Sequence, residues 1–154
     1  MTIETRIFGE VTIDDGKIIN FENGIVGFPD LKKFALIHDA EKGDNAGIRW
    51  MQSLDEPNFA MPVMDPLLVS PDYNPVVDDE ILKPIGNIDP GELLVLVTVT
   101  VPKDLKQMSV NLRGPVVINV NERKAVQIIL DDDAYKVKFP IFDILNAKKK
   151  EGAC

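Results

Sequence analysis

The sequence predicts a mainly β, single-domain fold, a small sandwich or barrel with a few short helices. Three observations carry that reading. Short apolar runs recur at close intervals, turn-forming residues stand between them, and residues 110–130 alternate apolar and polar side chains with the two-residue period of half-buried strands. Many short strands with frequent turns pack as two sheets or close into a barrel. At 154 residues the chain supplies one core rather than two.

Taken in order, TRIFGEVTID and KIINF read as strands separated by the turn DDGK at 14–17, and ENG at 22–24 ends the second. PDLKKF at 29–34 reads as a helical piece before the strand FALIHD, and EKGDNAG at 41–47 reverses the chain into IRWMQSL. FAMPVM follows. Eight of the eleven prolines lie between Pro57 and Pro102, so this region reads as an ordered surface path of turns and short edge strands. A turn near Asp78 to Lys83 and the turn IDPGE at 88–92 lead into the strand ELLVLVTVTV, which is too short to span a membrane. PKDLKQ at 102–107 and PIFDILNAK at 140–148 read as helical, and YKVKF at 135–139 as a strand. The tail KKKEGAC has almost nothing apolar to hold it down and is expected to be mobile.

The most regular stretch, VNLRGPVVINVNERKAVQIIL, poses a choice between a polar site and a framework. Val110, Leu112, Val116, Ile118 and Val120 share one face, and Asn111, Arg113, Val117, Asn119 and Asn121 share the other, expected to be largely wet. Gly114-Pro115 marks a kink or an edge, because proline cannot donate to a ladder. NERK supplies a reversal, after which Val126, Ile128 and Leu130 resume the alternation opposite Ala125, Gln127 and Ile129, so the pair reads as a hairpin. The stretch therefore reads as framework first.

Charge is unevenly spread. Residues 51–100 hold nine acidic side chains against Lys83 alone, within a chain of net charge −8. Such a segment is expected to repel nucleic acid and anionic membrane and attract a basic protein surface, or else to serve solubility alone. The one cysteine, Cys154, is the last residue, so no internal disulfide forms and a cytoplasmic location is the default.

Chemistry-bearing constellations are sparse. His38 stands alone beside Asp39, with no serine or cysteine motif, and reads as a structural or surface histidine. Asp131, Asp132 and Asp133 offer carboxylates to a hard cation but lack the spaced ligands and closing glutamate of a calcium loop. VVDDE at 76–80 fits a helix start better than an acid/base pair. No phosphate-cradling glycine motif occurs. No catalytic residue, metal ligand, cofactor or small-molecule substrate is assigned. Two alternatives stay open: a small metal-dependent enzyme using the acidic clusters, and an RNA-binding barrel using Arg113, Arg123, Lys124, Lys136 and Lys138. Trp50 reads as a half-buried anchor rather than a base-stacking platform.

Four segments in order, FENGIVGFPDL, SLDEPNFAMPVMDP, LLVLVTVTVP and MSVNLRGPVVINVNERKAVQIIL, resemble the bacterial flagellar assembly factor family FliW. The resemblance covers about residues 3–142. It implies a small, single-domain antiparallel β-barrel-like fold over residues 1–147, with 148–154 as the tail, and a cytoplasmic, non-enzymatic protein. It further implies two partners, flagellin and the translational regulator CsrA, whose repression of flagellin mRNA the factor relieves. Synthesis of flagellin would then follow its export. No direct contact with nucleic acid or membrane is implied. For flagellin, whose end regions form amphipathic helices, the candidate contacts are the apolar loop residues Ile25, Phe28 and Phe59. For CsrA, the charge map nominates Asp72, Asp78, Asp79 and Glu80, with Tyr73 as an anchor.

Overall fold

A computed structural model describes residues 2–6, 9–37, 48–75, 80–86, 90–131 and 134–152, with the side chains of 90, 105 and 148–152 left aside. Its strands are β1 (Thr2–Thr5), β2 (Gly9–Thr12), β3 (Ile19–Phe21), β4 (Lys33–Ile37), β5 (Arg49–Ser53), β6 (Ala60–Met64), β7 (Leu93–Thr100), β8 (Ser109–Val110), β9 (Val116–Asn119), β10 (Lys124–Gln127) and β11 (Phe139–Pro140). One α-helix, α1 (Phe142–Gly152), follows them among the described residues.

Strands β7-β6-β5-β4-β3-β10-β9 pair in that order, and β9 pairs back onto β7, closing a seven-stranded barrel. Closure removes the exposed sheet edges that would invite aggregation. The expected antiparallel pairing holds around this ring except between β3 and β10, which run parallel with Asn20 opposite Lys124 and Phe21 opposite Ala125. All seven strands send side chains inward: Ile19 and Phe21 from β3, Phe34, Met51, Val63, Leu96, Val116 and Ile118 from β9, and Ala125. Phe34, Met51, Val63 and Val116 are fully buried, so the lumen is a packed core and not a channel.

Further apolar layers cover the wall from outside. The β1–β2 hairpin lies over Ala35 and Leu54, with Ile3 and Val11 packed on that small cluster. Segment 66–75, β8, β11 and α1 cover the outer face of β6 and β7, where Met64, Val69, Tyr73, Val97, Val110 and Ile141 meet. Segment 80–86 covers Val117, Ile128 and Leu130 through the fully buried Ile85. β7 is thus packed on both faces, which explains its nearly continuous apolar sequence.

Four expectations need correction. The 29–34 stretch is not helical: Lys33–Ile37 is β4, because Phe34 enters the barrel and the strand gains β3 and β5 as partners. β6 is a wall strand rather than an edge, and Pro62 is tolerated because β7 joins only at Val63, leaving Pro62 opposite Trp50 of β5. The outer face of β9 is dry, since segment 80–86 buries Val117 and Asn119, whereas Val120 is exposed. Of 135–139 only Phe139 joins a strand, the two-residue β11 on β8. The predicted kink is present: β8 and β9 both pair with β7, broken between them at 111–115. Helix α1 runs to Gly152, past the expected start of the tail.

Candidate partner-binding surfaces

At one surface of the barrel an aromatic series runs from core to solvent. Phe21 meets Phe34 edge-on at 5.2 Å, Phe34 meets Phe59 at 6.4 Å, and Phe59 meets Phe28 at 4.8 Å. Phe28 is 47% exposed and Val26 54%, while Phe59 is partly buried and Ile25 lies in the core at 4%. The turn carrying them is fixed by two glycines. Gly24 and Gly27 have φ of 67° and 87°, and Ile25 and Phe28 exchange both backbone hydrogen bonds, at 3.2 and 2.9 Å. A Cβ at Gly24 would fall on the Pro29 backbone.

Three polar side chains that sequence reasoning passed over hold this surface in shape. Asp55 Oδ2 accepts from the N–H groups of Lys32 and Lys33 at 2.8 and 2.9 Å, stapling the loop before Phe59 to the loop after Phe28. Gln52, fully buried, donates through Nε2 to the carbonyls of Ser53, Pro57 and Phe59 at 2.9–3.1 Å. Gln127 accepts from Val26 N–H at 2.9 Å and donates to Gly114 O at 3.1 Å, tying the turn to β10 and to the kink. Asp55 had a visible signal, an acidic side chain in the turn-forming DEPN; Gln52 and Gln127 had none beyond their places on strands. The structure therefore brings Phe28 and Phe59 together, with Ile25 beneath them as packing.

The acidic segment is a pair of straps on the opposite argument: charge outside, apolar side chains inside. Asp65 Oδ1 accepts from Leu67 N–H at 2.9 Å and caps the 3-10 turn Pro66–Leu68. Asp72 and Glu80 are exposed, and Glu80 lies 3.6 Å from Lys83 Nζ. Asp78 and Asp79 lie outside the described residues. Tyr73 is placed inside rather than at the surface, 7% exposed, because the chain between Pro71 and Pro75 turns its ring into the layer over β7. Its hydroxyl donates to Leu112 O at 2.6 Å and its ring meets Tyr135 edge-on at 5.0 Å. Burial, reinforced by the charge of Tyr135 when ionised, pushes its phenol above the ordinary tyrosine range. Tyr73 anchors its own strap.

The second strap is latched from below. Asn119 Nδ2 donates to Ile85 O at 2.8 Å and to Glu122 Oε2 at 3.2 Å, and the glutamate packs against Gly86, whose φ is 82°. Asn111, Arg113 and Arg123 of the regular stretch are also framework. Asn111 Oδ1 accepts from Arg113 and Gly114 N–H, Arg113 Nε donates to Leu130 O at 2.9 Å, and Arg123 Nη1 donates to Asp15 O at 2.7 Å. Two of the cations nominated for RNA contact are thereby committed to backbone carbonyls. Trp50 is half-buried in β5. Asp131 is exposed; His38, Asp132, Asp133 and Cys154 lie outside the described residues. Among the described residues no group of three His, Cys, Asp or Glu could hold a metal ion, and no helix is long and apolar enough to cross a membrane.

Comparison with known proteins agrees over the same span as the fold. The family model for the FliW protein matches residues 2–141. The flagellar assembly factor FliW of Lachnospira eligens is 44% identical over 152 residues, covering 98% of this chain and 99% of the relative. That of Lachnoclostridium phytofermentans is 39% identical over 156 residues with both chains fully covered, and that of Treponema denticola 40% identical over 147 residues, covering 96% and 97%. A crystal structure of the flagellar assembly factor FliW superposes with a TM-score of 0.83 at 30% identity, covering 92% of this chain and 97% of that one. With the family model matched over most of the chain, relatives about two-fifths identical along nearly its whole length and the fold shared with a solved member, the chain belongs to the FliW family of flagellar assembly factors.

Proposed function

We propose that this chain acts in the cytoplasm as a non-enzymatic switch with two protein partners, flagellin and CsrA. Bound to flagellin, it shields apolar helical ends before export; released by export, it binds CsrA and relieves repression of flagellin mRNA. The observation that carries the reading is the division of its surface into two unlike regions. An exposed aromatic and aliphatic knob, Phe28 and Val26 backed by Phe59, suits an amphipathic helix. Elsewhere, acids such as Asp72 and Glu80, from the connection between β6 and β7 that holds seven acids and one lysine, suit a regulator that must present cations to RNA. We assign Phe28 and Phe59, over Ile25, to flagellin, and Asp72, Asp78, Asp79 and Glu80 to CsrA.

Calorimetric titration of the purified chain with flagellin and with CsrA from the same organism tests the reading. Saturable binding to each is expected, with a competition arm showing whether flagellin displaces CsrA. Phe28→Ala should weaken flagellin and spare CsrA. Failure of the native chain to bind either protein would sink the proposal.

A further inference from the structure

A cleft of about 470 Å3 lies over the barrel wall, bordered by described residues of segments 65–75 and 80–86. Its floor is Leu93, Val95 and Val117 of β7 and β9, and its sides are Leu67 of the first strap and Leu82 of the second. Val95 belongs to both outer apolar layers, so the cleft is the seam between them. Leu67, at the rim, is 51% exposed, a large apolar side chain left in water beside an apolar hollow. Asp65 is the charged residue among those described around it, and the exposed Asp72 and Glu80 lie close by in the chain. Lys83, the cation of this region, already faces Glu80.

The geometry points to this cleft as the seat of a protein segment that carries an apolar anchor flanked by Lys or Arg. Resting on the reading of the acidic straps as partner-facing, it adds that charge guides the partner while an inserted side chain holds it. The floor is too apolar to reward a purely polar chain, and Asp65 on the lining, within a connection of seven acids and one lysine, disfavours an acidic segment or a nucleic acid. The volume suits a few aliphatic side chains, the size of a small-ligand pocket, but polar groups to orient a small molecule do not converge on its floor.

The test uses the full chain and a labelled peptide of alternating Leu and Lys, against oligolysine of equal charge and a Leu–Glu peptide, read by fluorescence anisotropy. The Leu–Lys peptide should bind most tightly and the Leu–Glu peptide should not bind. Two rim variants, Leu67→Ser and Asn74→Trp, the latter filling the cleft from an exposed position, should each weaken the Leu–Lys peptide by about tenfold or more, the scale of one lost aliphatic anchor, and leave oligolysine unchanged. Melting curves confirm that each variant is folded, and either variant alone suffices. Unchanged Leu–Lys binding in a folded variant overturns the cleft. CsrA titrated in parallel separates the two ideas: no binding by the native chain fails the proposed function, whereas native-like CsrA binding by both folded variants fails the cleft alone. A dimer of the native chain that Asn74→Trp dissociates would give the cleft to a second copy and overturn the proposal.

Discussion

Tyr73 and Asn119 each exchange an apparent surface role for a structural one, and each makes a measurable difference. Tyr73→Phe keeps the ring but leaves Leu112 O without its 2.6 Å donor, so a loss of about 1–3 kcal/mol is expected in urea unfolding at neutral pH. The pH dependence has a definite sign. The folded phenol titrates above the unfolded one, so the contribution of its neutral form is fully present below the unfolded value of about 10 and is lost as pH rises from there through the raised folded value. The native chain should lose stability steadily above about pH 10, and Tyr73→Phe should flatten that slope. A slope unchanged by the substitution would place the titration elsewhere. Asn119→Ala removes the donor to Ile85 O and should also cost about 1–3 kcal/mol, against about 2–5 for Ile118→Ala, whose side chain fills the lumen. A loss near zero for Asn119→Ala would show that the latch contributes little.

The turn at 24–28 shows how far an element can be read from sequence. Its glycines and its apolar tips are legible in ENGIVGF, and so is the possibility that Phe28 stays outside. That Phe59 meets Phe28 is not legible, because the contact depends on Asp55 joining two loops whose proximity only the closed barrel creates. The same limit explains the misread elements. A period-two pattern shows which side chains face alike, as for Val126, Ile128 and Leu130, but not that segment 80–86 will cover the second face of β9. PDLKKF at 29–34 carries helix-forming residues, yet Lys33 and Phe34 open β4 through their partners on β3 and β5, tertiary pairing overriding propensity. Tyr73 was hidden by its surroundings, a proline-rich acidic stretch that otherwise reads as surface. Gly24→Ala tests the turn as a unit: a positive φ and a collision with the Pro29 backbone together should cost at least about 1–3 kcal/mol, and the displaced Phe28 should weaken flagellin binding. Equal stability of Gly24→Ala and the native chain would mean that the turn relaxes freely.

On the scale of the whole molecule, the barrel separates two kinds of surface by placing them on different connections. The aromatic knob belongs to the turn leaving β3 and the loop entering β6, whereas seven of the nine acids of residues 51–100 lie between β6 and β7, Asp55 and Glu56 being on the loop entering β6. Long-range charge acts before contact, so the straps should govern how fast a cationic partner arrives more than how long it stays. Exposed charges are screened over about 8–10 Å near physiological ionic strength, and the association rate with CsrA should therefore fall steeply as salt rises. Reversing Asp72 and Glu80 to Lys removes two exposed acids without touching the buried layers beneath, so folding should be preserved. Glu80→Lys also leaves Lys83 facing a like charge, which reinforces the local reversal. The double variant should associate with CsrA more slowly, with most of the loss at low salt, while its dissociation rate changes less and flagellin binding stays close to native. Stopped-flow association at two salt concentrations, with both partners, reads each of these quantities. A CsrA association rate unaffected by the reversal at low salt would reduce the acids to a role in solubility, and an equal loss for flagellin would mean that the two surfaces act as one field.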